Sequence, residues 1–236
     1  MTRIALITGA NKGIGYEIAR LLAEQGVTTV VGSRDEGRGK AAAERLGQPY
    51  VRLDVTDEES VAAAAKWIDS EYGRLDILVN NAGITGDPAA FVPSAATAAQ
   101  IREVYETNVF GVVTVTNAML PLLRRSPAGR IVNMSSELGS LAMAVDPDSP
   151  FGEFNALTYN SSKSALNMVT VCYAKELKDT PIKVNAANPG YCATDLNQHQ
   201  GFRTPEQGAA IAVRLATLDE NGPSGAYLED AGTVRW

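Results

Sequence analysis

Short runs of aliphatic and β-branched residues alternate with longer Ala-rich stretches along the whole chain. RIALIT (3–8) is a continuous apolar run closed by a glycine, the pattern of a buried strand. GIGYEIARLLAEQG follows with helical spacing and ends at Gly26, a C-cap residue. The same alternation then repeats. Strands are predicted at 27–33, 50–55, 75–83, 129–136, 182–190 and 225–229. Helices are predicted at 37–47, from a Thr56 or Asp57 cap to 73, at about 97–125 with Pro121 near its end, at 158–177 and at 204–218. This β-α order predicts a doubly wound, mainly parallel seven-stranded sheet flanked by helices. No linker, repeat or low-complexity tract divides the chain, so residues 1–236 are read as one domain. The least regular segments are 84–96 and 137–157.

Composition narrows the function. A net charge of −6 argues against a nucleic-acid or acidic-membrane partner. A polyanionic ligand would have to be held by local basic residues and backbone N–H groups. No apolar run is long enough to span a bilayer, and the N-terminal run stops at Gly9 without the form of a secretory signal. Cys172 and Cys192 have no metal spacing, and the single histidine, His199, excludes a multi-histidine metal site. A cytoplasmic protein with reduced thiols and no metal is expected.

The first strand-to-helix junction carries TGANKGIG, with Gly9, Gly13 and Gly15 around Asn11, Lys12 and Ile14. Glycines there allow a tight turn and close backbone approach, and a helix N-terminus offers free N–H groups to a pyrophosphate. The spacing G-x-x-x-G-x-G departs from the general dinucleotide fingerprint. Near the end of the second strand, VVGSRD has no carboxylate at its first polar position. Ser33 removes the repulsion a ribose 2′-phosphate would meet, and Arg34 can pair with that phosphate. Lys12 adds a second positive charge. Asp35 points the other way, since a shift of two residues would let it contact a ribose hydroxyl. Further on, YNSSK sets Tyr159 and Lys163 four residues apart, on one face of a helix. An ammonium beside a phenol lowers the phenol's pKa, which would make Tyr159 an acid–base group.

Taken in order, TGANKGIG (8–15), LDV (53–55), NNAG (80–83), Asn108, NMSS (133–136), YNSSK (159–163) and NPGYCAT (188–194) resemble the short-chain dehydrogenase/reductase family over essentially the whole chain. The resemblance implies a Rossmann-type fold and a nicotinamide cofactor. It implies that Tyr159 is the general acid, that Lys163 lowers its pKa and binds the nicotinamide ribose, and that Ser136, rather than Ser135, orients the substrate carbonyl. Asn108 would hold a helix distortion and a water leading to Lys163. Asp54, with Val55 beside it, would reach the adenine; Asn81, Ala82 and Gly83 would floor the cleft. Pro189 and Gly190 would turn the chain under the nicotinamide, and Thr194 and the Cys192 backbone would meet the carboxamide.

Ser136 and Tyr159 are 23 residues apart, a wide gap for the family. The extra residues, about 138–157, and the C-terminal stretch are similar to the carbonyl-reductase subgroup, whose members are monomeric. The expectation is therefore a monomeric, NADPH-dependent reductase of ketones and aldehydes, a small-molecule carbonyl being its substrate. The insertion would border the substrate mouth, with Phe151, Phe154 or Leu157 as its apolar wall. NAD-dependent alcohol oxidation at the same site, or a dinucleotide sensor without turnover, are the other readings.

Overall fold

A computed structural model describes residues 2–236. The predicted alternation is present throughout. Strand β1 spans Ile4–Thr8, helix α1 Gly13–Glu24, β2 Thr28–Ser33, α2 Glu36–Leu46, β3 Tyr50–Arg52, α3 Glu58–Tyr72 and β4 Ile77–Asn80. The second half holds α4 (Ala98–Tyr105), α5 (Gly111–Leu123), β5 (Arg130–Met134), the short α6 (Leu141–Ala144), α7 (Leu157–Glu176), β6 (Lys183–Ala187), α8 (Pro205–Ala216), β7 (Tyr227–Glu229) and β8 (Gly232–Thr233).

The sheet order is β3-β2-β1-β4-β5-β6-β7-β8. It reverses direction of growth between β1 and β4, the switch point beside which doubly wound folds bind ligands. Pairing is parallel from β3 through β7. The predicted count of seven strands is corrected to eight: β8 pairs antiparallel to β7. Two residues carry no hydrophobic period, so this strand has no pattern from which to be read.

Strands β1, β4 and β5 are buried on both faces, which explains their unbroken apolar runs. One face packs Leu6, Leu78 and Ile131 under α3, α5 and α7. The other packs Ile7, Val79 and Val132 under α1 and α8. Asp57, not Thr56, caps α3, accepting from the backbone of Glu59 and Ser60.

The single helix predicted at 97–125 is broken. Between α4 and α5, residues Glu106–Phe110 form one π-helical turn. The extra residue rotates Asn108 inward, where it is buried. Pro121 lies inside α5 without ending it. Among the described residues no helix is long and apolar enough to cross a membrane.

Candidate active site

A cleft of about 940 Å³ opens along the C-terminal ends of β1, β2, β4, β5 and β6. Seventeen of the predicted site residues line it: Gly9 to Gly15 (less Ala10), Ser33, Arg34, Asp54, Val55, Asn81 to Gly83, Tyr159, Lys163, Pro189 and Thr194. Segments 75 residues or more apart in sequence thus converge on one groove. Its volume and its lining fit a dinucleotide.

The glycine loop is shaped for close approach. Gly9 has φ +65°, and a Cβ there would lie 3.0 Å from the Ala82 backbone. A Cβ on Gly15 would lie 2.4 Å from Asn81 Nδ2 and 2.7 Å from the Gly9 carbonyl oxygen. The loop is tied to β4: Asn81 Nδ2 donates to the Thr8 carbonyl at 2.9 Å, and the Asn81 and Ala82 N–H groups donate to Thr8 Oγ1. Thr8, which opens the TGANKGIG motif but was not among the predicted site residues, is the clamp between the two halves. The N-terminus of α1 has no side-chain cap, so its N–H groups and positive dipole end face the cleft wall.

Beside β2, Ser33 is buried and its hydroxyl donates to the Asp35 carbonyl at 3.1 Å. Asp35, the residue that pointed toward a ribose, caps α2 instead. Its carboxylate accepts from the Arg38 N–H at 2.9 Å and pairs with the Arg38 guanidinium. Arg34 is exposed on the cleft and has no ion-pair partner among the described residues. Lys12 reaches across the cleft mouth to Asp195 at 2.5 Å, and His199 contacts the same carboxylate at 2.9 Å. Asp195 and His199 were not among the predicted site residues. The bridge joins positions 183 residues apart, which no local pattern reveals.

At the other end, Asn108, Lys163 and Gly83 meet. A Cβ on Gly83 would lie 3.3 Å from Asn108 Oδ1 and 3.7 Å from Lys163 Nζ, so only glycine leaves the space open. Asn108 does not line the cleft; it stands behind the wall. Its Oδ1 accepts from the Ile84 N–H at 2.9 Å, and its Nδ2 donates to the Ile84 carbonyl (2.8 Å) and Ser162 Oγ (3.0 Å).

Tyr159 and Lys163 share one face of α7, with the ammonium 5.5 Å from the phenol ring centroid. The expected lowering of the Tyr159 pKa is not present in this structure. Lys163 Nζ donates to the Met134 carbonyl at 2.7 Å rather than to the phenol. Burial therefore dominates at Tyr159 and pushes its pKa up, while hydrogen bonding to Ser136 opposes the rise. Burial lowers Lys163 to about 8, so it is still mainly charged at neutral pH. Ser135 is fixed in the scaffold, its hydroxyl donating to Asn167 at 2.6 Å. That leaves Ser136 as the serine acting on Tyr159. Ser136 itself lies off the cleft wall, at the end of β5, and Gly190 also lies outside it, in the turn after β6 with φ +70°. Cys192 is buried and its thiol is pushed up to about 11, the opposite of an activated nucleophile.

The family description that matches residues 3–203 is "short chain dehydrogenase". The Penicillium roqueforti protein named short-chain dehydrogenase anuI is 38% identical, over 98% of this chain and 95% of its own. The pig (Sus scrofa) protein named carbonyl reductase [NADPH] 1 is 33% identical, over 100% of this chain and 94% of its own. The crystal structure described as NADPH-bound carbonyl reductase from chicken fatty liver superimposes with a TM-score of 0.86 at 29% identity, over 100% of this chain and 99% of that one.

Proposed function

Because the chain belongs to the short-chain dehydrogenase family, we propose that it reduces ketones or aldehydes to alcohols at the expense of NADPH, with Tyr159 as the general acid. The observation that carries the reading is the grouping of Tyr159 and Lys163 on one face of α7 at the cleft wall, the ammonium 5.5 Å from the phenol ring centroid. The relative named carbonyl reductase supports reduction as the direction.

NADPH rather than NADH follows from β2. Ser33 brings no negative charge, Asp35 is spent on capping α2, and Arg34 presents an unpaired guanidinium to the cleft. The relatives named for NADPH use support the same choice. Asn81, Ala82, Gly83, Asp54 and Val55 would hold the adenosine half, and Pro189, Gly190, Thr194 and Lys163 the nicotinamide half. Bound there, the cofactor supplies a hydride to the carbonyl carbon.

The chain's own groups then act on the carbonyl oxygen. Ser136 donates a hydrogen bond and fixes the carbonyl. Tyr159 gives up its proton as charge develops on that oxygen, an alkoxide being a far stronger base than a phenolate. The Lys163 ammonium, close by, stabilises the phenolate left behind and aids recharging of the acid. Asn108 acts through the wall, holding Ile84 and the π turn so that Lys163 keeps its place.

We also infer a monomer, from the 138–157 insertion ahead of α7, and a cytoplasmic location, from the two cysteines being free thiols; light scattering giving the mass of a single chain would agree with the first. The functional test is Tyr159→Phe. It should lower kcat by about a hundredfold or more, the usual share of a positioned acid, with NADPH affinity nearly kept. Unchanged turnover would remove Tyr159 from its role.

A further inference from the structure

Asn188 stands one residue past β6, is 2% exposed and does not line the cleft. Every hydrogen-bonding group of its side chain is nevertheless engaged. Oδ1 accepts from the Gly190 N–H at 3.1 Å and from the Glu137 N–H at 3.3 Å. Nδ2 donates to Glu229 Oε2 at 2.9 Å, and the Glu137 carboxyl takes a hydrogen bond from the same side chain. An asparagine amide has two donor hydrogens and two acceptor lone pairs, so its capacity is filled. N–H groups face the oxygen and carboxyls face the nitrogen, which fixes which way round the amide sits.

The bond to Gly190 alone would be a local Asx-turn. The bonds to Glu137 and Glu229 are different, since they reach 51 and 41 residues along the chain. Glu137 directly follows Ser136. Ser136 Oγ accepts from the Leu138 N–H at 3.3 Å and so caps the short turn Glu137–Gly139. The position of that turn therefore sets where the Ser136 hydroxyl points. Its far end is clamped to α7, the Gly139 carbonyl accepting from Ser164 Oγ at 2.9 Å and Asn167 Nδ2 at 3.2 Å. Its near end is held by Asn188, which on its other side holds Gly190, a residue with φ +70° in the turn assigned to the nicotinamide half. Glu229, at the end of β7, anchors the amide from behind.

We propose that Asn188 is a positioning residue for the reduction, locking the turn after Ser136 to the turn at Gly190. The proposal rests on the reductase reading. Ser136 acts on the carbonyl oxygen and the nicotinamide on the carbonyl carbon, so the two must keep one relative geometry. A misplacement of about 1 Å between such groups costs on the order of a hundredfold in rate. Asn188 touches neither substrate nor cofactor; it acts through the backbone of Glu137 and Gly190.

The test measures kcat per NADPH-binding site, counted by fluorescence titration so that unfolded protein does not enter. Asn188→Ala should lower it about tenfold or more, with KM for the ketone and NADPH affinity within about threefold of the unaltered protein. Adding Asn188→Ala to Ser136→Ala should lower kcat little further, because the serine is what Asn188 positions. Asn188→Asp keeps the acceptor oxygen but sets a carboxylate against Glu229, so it should also lose activity. Combining it with Glu229→Gln exchanges donor and acceptor and should recover about threefold or more. A kcat per site within about threefold of the unaltered protein in Asn188→Ala, or losses that multiply fully in the double variant with Ser136→Ala, would overturn the proposal. Should Asn188→Ala fail to fold, absence of recovery in the Asn188→Asp, Glu229→Gln pair would overturn it. Amide exchange followed by NMR separates positioning from chemistry: Glu137 and Gly190 should exchange about tenfold faster in Asn188→Ala, and unchanged exchange at both would refute the positioning. Absence of turnover in the unaltered protein would instead refute the reductase reading.

Discussion

Asn108→Ala isolates the residue that connects the π turn to the active site. The side chain makes three hydrogen bonds, two to the backbone of Ile84 and one to Ser162. Alanine removes all three. The Ile84 N–H and carbonyl then lose their protein partners in a half-buried segment, where each unpaired group costs about 1 kcal/mol or slightly more. Ser162 loses little, because its hydroxyl still donates to the Tyr159 carbonyl at 2.7 Å. The expected destabilisation is therefore about 2–3 kcal/mol. In a domain of this length that corresponds to a fall in Tm of roughly 5–10 °C. Urea unfolding followed by circular dichroism measures it. Ser162→Ala is the internal comparison. Asn108 Nδ2 would keep its bond to Ile84, so the loss should stay near 1 kcal/mol. A loss below about 0.5 kcal/mol for Asn108→Ala, or one no larger than that of Ser162→Ala, would refute the view that Asn108 holds the wall of the cleft.

Four further outcomes are expected. Gly15→Ala places a Cβ 2.7 Å from a backbone oxygen that has no room to move, so it should cost about 1–3 kcal/mol and weaken NADPH binding in fluorescence titration. Gly47→Ala, in a left-handed helix cap with open space around it, should cost about 1 kcal/mol and leave NADPH binding alone. Lys163 has its pKa lowered from 10.5 to about 8, so as pH rises through 8 the folded protein releases a proton that the unfolded chain retains. Stability from this group is thus lowest below pH 8 and rises above it, by about 1 kcal/mol per pH unit; denaturation at pH 8 and 9 should show this rise, and Lys163→Met should abolish it. Arg34→Asp should raise KM for NADPH at least tenfold and shift preference toward NADH; an unchanged ratio of the two cofactors would remove Arg34 from phosphate recognition.

The sheet was legible in the chain because its strands are buried on both faces, so β1, β4 and β5 appear as unbroken apolar runs such as IALIT. The glycine loop was legible because its function requires residues without side chains, as the approach of Gly15 to Gly9 and Asn81 makes plain. What sequence left hidden falls into two kinds. One is too short to have a period: β8, with two residues, and the π turn, a single extra residue inside an otherwise helical pattern, to which only the family resemblance, with its helix distortion at Asn108, pointed. The other depends on residues far away in the chain. Helical spacing places Lys163 beside Tyr159, yet the ammonium bonds to Met134 on β5, and burial then raises the phenol's pKa. The same holds for Lys12, whose Asp195 partner belongs to a loop at the other end of the chain. Asp35 is ambiguous in sequence between ribose ligand and helix cap, and only the position of the Arg38 N–H decides it.

The central claim is that this cleft and the Ser136–Tyr159–Lys163 group reduce carbonyl compounds with NADPH. The most direct measurement is the initial rate of cofactor oxidation, read at the absorbance of the reduced nicotinamide, with a panel of ketones and aldehydes and with NADPH or NADH at equal concentration. The account expects substrate-dependent oxidation of NADPH, with kcat/KM at least tenfold above that for NADH. Failure to oxidise NADPH with any carbonyl compound, or faster turnover with NADH, would contradict it.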